Sequence, residues 1–299
     1  MSFLTGVPSK RKAIIMAVAV TTIWSTSWIF IKIGLKEIPA LPFAAMRYFL
    51  AFLILLPWLF RSPTWQTIKA LAWRDWLVLT GLAILTYSLN QGGLFIALSY
   101  LPNTTVSLLQ NFSPVFIALL GGWMLKESVN RKQYMGMVIL LIGALIFFLP
   151  LESDNMSIPG LIASFVTLMS NVFNSIFSRK ILRAGKYPVL VMTGVCMGIG
   201  SSIMVITSQA WLVVPRISAS LWGILIYLAL INTALAFIMW NTSLQKLTAF
   251  EANIINNTML VQIAILSWIF LGDAISWKMA LGMVLVMGGA VLVNLRNNS

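Results

Sequence analysis

Ten stretches of about twenty apolar residues, each bounded by charge, proline or Asn/Ser clusters, dominate this chain. They lie at approximately 12–33, 41–60, 75–99, 103–125, 131–150, 157–180, 188–208, 220–243, 248–271 and 276–295. At ~1.5 Å of rise per residue, about twenty helical residues cross a hydrocarbon layer roughly 30 Å thick. Inside that layer no water satisfies the backbone, so a crossing segment must be a helix or part of a closed barrel. The runs are too long for barrel strands and lack a period of two. The expected fold is therefore all-α, a polytopic membrane protein of ten transmembrane helices.

Composition narrows the chemistry. The 299 residues are 60% hydrophobic and 9% charged, with a mean hydropathy of +0.93, whereas soluble domains carry about 25% charged residues. There is no histidine and a single cysteine, Cys196. A disulfide framework, a Cys/His zinc site and a His-based catalytic triad are excluded together. No metal or cofactor is expected, and no G-x-x-x-x-G-K-[ST] loop is present to supply ATP drive within this chain.

The net charge of +13 points not to nucleic acid but to loop placement. Lys10-Arg11-Lys12 precedes a run with no convincing small-residue cleavage site before Lys32, so the run reads as a retained first helix. With the N terminus in the cytoplasm, the inner segments hold Lys10, Arg11, Lys12, Arg61, Lys69, Arg74, Lys126, Arg131, Lys132, Arg179, Lys180, Arg183, Lys186, Lys246 and Arg296. The outer loops hold Lys32, Lys36, Arg216 and Lys278. The positive-inside rule then predicts both termini cytoplasmic, and the loop with Glu152 and Asp154 outside. Arg47 lies inside the second run, where snorkelling to the headgroups competes with attraction of a carboxylate substrate.

An internal repeat organises the chain. At a constant offset of 146, residues 101–149 lie over 247–295 without a gap: Asn111 on Asn257, Glu127 on Asp273, Gly136-Met137-Val138 on Gly282-Met283-Val284, and Gly143-Ala144 on Gly289-Ala290. The same offset sets Pro42 on Pro188. The expected units are residues 1–150 and 151–299. Each has five helices, an odd number, so the halves cross in opposite senses, a recurring device of secondary transporters.

These residues carry a resemblance to a known family. Asn111-x-x-Pro114-Val115, then Leu125-Lys126-Glu127-Ser128, Gly136 and Gly143, resemble the EamA family of the drug/metabolite transporter superfamily. So do Leu271-Gly272-Asp273-Ala274 with Gly282 and Gly289, and Trp24-Ser25 with Lys32 and Arg47. The resemblance implies a ten-helix inverted-repeat transporter in the cell membrane, usually exporting amino acids or other small metabolites. Leu260 replaces the proline expected opposite Pro114, which questions whether both repeats kink alike.

Polar side chains at depth mark the candidate pathway. Ser107, Gln110 and Asn111 share one face of the fourth helix, continued by Pro114, and Asn253, Asn256 and Asn257 occupy matching places on the ninth. Trp24 and Trp28 on the first helix, Tyr87 and Gln91 on the third, Asn171 and Asn174 on the sixth, and Phe237 and Trp240 on the eighth complete a candidate site. Aromatic walls with amide groups suit a small organic solute, especially a zwitterion. Interhelical hydrogen bonding that only holds the bundle together is the competing reading.

Glu251 is the best candidate for proton coupling, yet Thr248-Ala249-Phe250-Glu251 reads as a capping box near Lys246. Glu127 and Asp273 are expected to cap helices or pair with Arg131 and Lys278. Gly194-x-x-x-Gly198 is a close-packing motif that leaves monomer and homodimer both open. The expected function is export of a small organic metabolite in a lipid bilayer. The alternatives are a carrier for drugs or sugar-related solutes, and a non-transporting membrane enzyme or scaffold. Sparse acids and the missing histidine disfavour the enzyme.

Overall fold

The computed structural model describes residues 7–101, 103–127, 129–148, 157–271 and 275–294. Among them the structure is helical throughout, without strands. In chain order it contains α1 (Lys10–Gly34), α2 (Ala40–Leu59), a short α3 (Ser62–Lys69), and α4 (Trp73–Ala83), which runs through a π-helical segment (Ile84–Gly92) into α5 (Gly93–Tyr100). Then come α6 (Asn103–Gln110), α7 (Ser113–Leu125), α8 (Arg131–Phe148), α9 (Ile158–Arg183) and α10 (Val189–Ser208). After two 3₁₀ turns follow α11 (Ala219–Tyr227), a second π-helical segment (Leu228–Leu235), α12 (Ala236–Leu244), α13 (Ala249–Asn257), α14 (Met259–Leu271) and α15 (Trp277–Asn294). Over its described residues each apolar run is largely helical, and among the described residues eight helical stretches are long and apolar enough to cross a membrane. Large apolar side chains such as Leu119, Trp123, Trp268, Phe270 and Val284 are exposed, as an outer surface in contact with lipid requires.

Two features of the helices escape the apolar pattern. The short α3 begins with Pro63 in its first turn, and it buries Ile68. The π-helical segments Ile84–Gly92 and Leu228–Leu235 fall at nearly corresponding positions in the two halves. A π segment widens the turn and leaves backbone groups less tightly paired, and such segments cluster at functional sites.

Glycines show how the halves meet. A Cβ on Gly136 would lie 2.7 Å from the Gly289 carbonyl, and one on Gly143 would lie 2.7 Å from the Gly282 carbonyl. The early glycine of α8 meets the late glycine of α15, and the late meets the early, so the two helices run antiparallel. Because these four residues are pairwise equivalents in the repeat, the contact is self-complementary, and the two-repeat architecture fits the chain. Gly194 and Gly198 likewise receive Leu59 and Phe52 of α2. That small-residue face is filled from within the chain and is not free to seat a second copy.

One alignment needs correction. The structure places Pro188 at the N-cap of α10, and the corresponding cap of α2 is Pro39, not Pro42. The repeats therefore register at an offset of 149 over α2 and α10, but at 146 over the later helices, where α6 and α13 begin at Asn103 and Ala249. A three-residue difference in the intervening segments accounts for it.

Candidate substrate pathway

The break in each half sets up the site. Pro114, in the first turn of α7, lacks an amide hydrogen and separates α6 from α7 at Asn111-Phe112. In the second half Leu260 supplies no such block, yet α13 also ends before Thr258 and α14 restarts after it. There the Thr258 hydroxyl donates to the Ile255 carbonyl at 2.6 Å, where an ordinary helical turn would continue. Both repeats are thus broken at equivalent residues by different chemistry.

The break frees the Asn111 carbonyl, and Asn257 Nδ2 donates to it at 3.0 Å. Asn111 Nδ2 folds back onto the Ser107 carbonyl at 2.8 Å, while its Oδ1 is buried without a partner. Ser113 Oγ donates to Asn253 Oδ1 at 2.7 Å. Ser107, Asn111, Asn253 and Asn257 therefore meet. Gln110 turns elsewhere, donating to the Ser164 carbonyl at 3.1 Å on α9. Asn174 accepts from Thr86 Oγ1 at 2.7 Å and from Ser178 Oγ at 3.1 Å. Gln91, Asn171 and Asn256 are half-buried. Gln262, which the polar stripes did not single out, joins α14 to α1: Ser25 Oγ donates to its Oε1 at 2.9 Å and its Nε2 donates to Thr21 Oγ1 at 3.2 Å.

An aromatic cluster joins α1, α2, the first π segment and α12. Trp24 packs 5.5 Å from Phe237 and 5.2 Å from Trp240, and Tyr87 sits 5.2 Å from Tyr48 and 6.0 Å from Phe237. Trp24, Tyr87, Phe237 and Trp240 are thus brought together, and the side chain of Trp28 lies outside the described residues. Tyr48 was not legible as a member, because only its cross-chain neighbours distinguish it from other interior aromatics. The second π segment supplies polarity: the Asn232 carbonyl accepts from Trp24 Nε1 at 2.9 Å, and Asn232 Nδ2 donates to the Ile23 carbonyl.

Arg47 does not snorkel. Its side chain is buried, with Nε donating to Thr233 Oγ1 at 2.8 Å and Nη2 donating to the Asn232 carbonyl at 3.3 Å. The guanidinium lies 5.6 Å from the Tyr48 ring centroid. The side chain points inward because the second π segment, together with α11, packs over α2 there.

Glu251, Glu127 and Asp75 lie at helix ends on the face that carries Lys10. Glu251 forms the expected capping box, accepting from Thr248 N at 3.1 Å while its own amide donates to Thr248 Oγ1 at 3.0 Å. Its basic partner is Lys10, at 2.6 Å, rather than Lys246. Glu127 pairs with Arg179 at 3.0 Å and Arg183 at 3.6 Å, not with Arg131. It does not cap α8, because Asn130 and Gln133 cap each other reciprocally there. Arg179 also donates to the Leu244 carbonyl at 2.7 Å, tying α7, α9 and α12 together. Asp75 pairs with Lys186 at 2.6 Å and accepts from the Tyr187 hydroxyl. Its hydrogen bond raises the Lys186 ammonium above the usual lysine value. Asp273, Glu152 and Asp154 lie outside the described residues. A recess of about 20 Å³ beside Glu127 and Gln133 has room for about one water, and none of the asparagines lines it.

The EamA-like transporter family matches residues 11–149 and, a second time, residues 158–295. The chain belongs to that family. A relative named as the uncharacterized transporter YoaV of Bacillus subtilis is 24% identical, the match covering 93% of this chain and 95% of the relative. A protein of Salmonella typhimurium named as a probable amino-acid metabolite efflux pump is also 24% identical, over 93% of each chain. A crystal structure superposes with a TM-score of 0.78 at 17% identity, covering 95% of this chain and 96% of its own, a likeness of fold. This EamA protein is therefore a multi-pass membrane transporter.

Proposed function

We propose that this EamA protein is a secondary transporter that exports a small organic metabolite, an amino acid or related compound, by alternating access around the α6–α7 and α13–α14 breaks. The self-complementary contact of Gly136 with Gly289 and Gly143 with Gly282 carries the reading. Two like halves meeting about a pseudo-two-fold axis can exchange conformations and open the site to one side, then the other. Residues 1–150 and 151–299 form the two inverted repeats. With α1 and the α4–α5 rod counted as crossings, the total is ten, and the excess of positive charge places both termini in the cytoplasm.

The substrate lies between the asparagines of the breaks and the cluster of Trp24, Tyr87, Phe237 and Trp240, with Gln91, Asn171, Asn174 and Asn256 as further polar lining. The named efflux pump of Salmonella typhimurium supports the amino-acid class. Counterflow uptake of labelled amino acids into proteoliposomes, with and without an imposed pH gradient, tests the proposal. Saturable uptake without a gradient is the expected result. Absence of saturable uptake for every amino acid overturns the substrate class.

A further inference from the structure

Arg47 is a buried cation that no carboxylate neutralises among the described residues. Its ion pairs with acidic groups are absent among the described residues, and only two of its five N–H donors are used, on Thr233 Oγ1 and the Asn232 carbonyl. Placing a charge in a low-dielectric interior is costly unless an opposite charge or a full set of hydrogen bonds compensates it. Beside it, Asn232 is fully buried and its Oδ1 has no hydrogen-bond partner. Two unmet polar demands, one for an anion and one for a donor, therefore adjoin on α2 and the second π segment. The Trp24 indole shares the Asn232 carbonyl with Arg47, and the guanidinium lies against Tyr48.

We infer that Arg47 receives the carboxylate of the transported solute, with the solute's apolar part against the Trp24, Tyr48 and Phe237 rings. Thr233 and the Asn232 carbonyl fix the guanidinium from one side, leaving three donors in the planar fork that suits a carboxylate. The Asn232 Oδ1 is an acceptor for a donor group on the same solute, such as the ammonium of an α-amino acid. Because the rings pack on one another at 5–6 Å, entry of the solute requires them to part. The inference rests on the transporter reading and adds to it an anionic head group.

The test measures binding apart from transport. Purified protein in detergent is melted with L-phenylalanine, 3-phenylpropionate, L-phenylalaninamide or phenethylamine, with sodium phosphate and sodium chloride as inorganic controls. The two carboxylates are expected to raise Tm and the two compounds lacking a carboxylate are not. The apparent affinity for phenylalanine is expected to fall at least about tenfold in Arg47→Gln and to be only partly restored in Arg47→Lys. Thr233→Val, which leaves the charge in place, is expected to weaken phenylalanine less than Arg47→Gln and keeps the test open if the latter does not fold. Equal stabilisation by acid and amide, stabilisation by inorganic anions alone, or no response to any carboxylate overturns the inference. Counterflow on the same preparations separates the failures: transport of phenylalaninamide as fast as phenylalanine preserves the carrier and removes the anion site.

Discussion

Asn257 donates its side-chain amide to the backbone carbonyl of Asn111, its own counterpart 146 residues earlier, across 3.0 Å. The bond is not reciprocated, because the Asn111 amide turns back to Ser107 within its own half. Equivalent residues thus play unequal parts: one leaves a carbonyl open where its helix is broken, and the other closes it. Such asymmetry is what the proposed exchange of conformations between two like halves requires.

Replacing Asn257 by leucine removes the donor and leaves the Asn111 carbonyl buried and unpaired, at a cost of about 1–3 kcal/mol. The Asn257→Leu protein, and likewise Asn111→Leu, is expected to insert and purify yet lose counterflow activity. Fluorescence-detected size exclusion checks the first outcome and proteoliposome flux the second. Wild-type flux in both variants would remove the asparagines from the pathway.

The α8–α15 contact tolerates no side chain. In Gly289→Ala the new methyl would meet the Gly136 carbonyl at 2.5 Å, whereas at Gly288 nothing lies within 4 Å. Gly289→Ala is therefore expected to destabilise the protein by about 1–3 kcal/mol, and Gly288→Ala to leave it unchanged or slightly more stable. Thermal melting of the two variants side by side decides this, and equal melting temperatures would mean that the helices part easily.

Glu251→Gln keeps an oxygen for the Thr248 amide but loses the charge facing Lys10. Because Lys10 is about half exposed, the loss is modest, about 1 kcal/mol or less. A small drop in melting temperature is expected, with the pH dependence of flux unchanged. Unchanged melting together with lost gradient dependence would instead identify Glu251 as a proton carrier.

Glu127 and Arg179 are both largely buried, so removing either breaks a buried ion pair, and among the described residues the exposed Arg183 at 3.6 Å is the one cation left beside Glu127 when Arg179 is replaced. Glu127→Gln and Arg179→Gln are each expected to cost about 3 kcal/mol, and the double variant less than the sum, by a double-mutant cycle on thermal stability. Strict additivity would show that the pair does not act as a unit.

Much of this architecture can be read from the chain alone, for a local reason. A helix in hydrocarbon satisfies its own backbone, so an apolar run of about twenty residues declares itself without reference to any partner. The repeated glycines of α8 and α15, and the Thr248–Glu251 cap, are legible on the same ground, since each depends on residues close in sequence or recurring at a fixed spacing. The positions of Asn111 and Asn257 follow from the repeat, although not their unequal bonding.

Tertiary structure decided the rest. Whether Arg47 faces lipid or interior depends on what covers α2, and the second π segment that bonds it is contributed from some 185 residues away. Glu127 found Arg179 and Arg183 rather than the nearer Arg131, because the end of α7 lies against the end of α9. Thr258 stands in for a proline that the sequence lacks, since a hydroxyl can turn to a local carbonyl once packing has broken the helix. Apolar periodicity fixes where a helix forms. Which of its polar groups are buried together depends on distant segments whose docking no local spacing encodes.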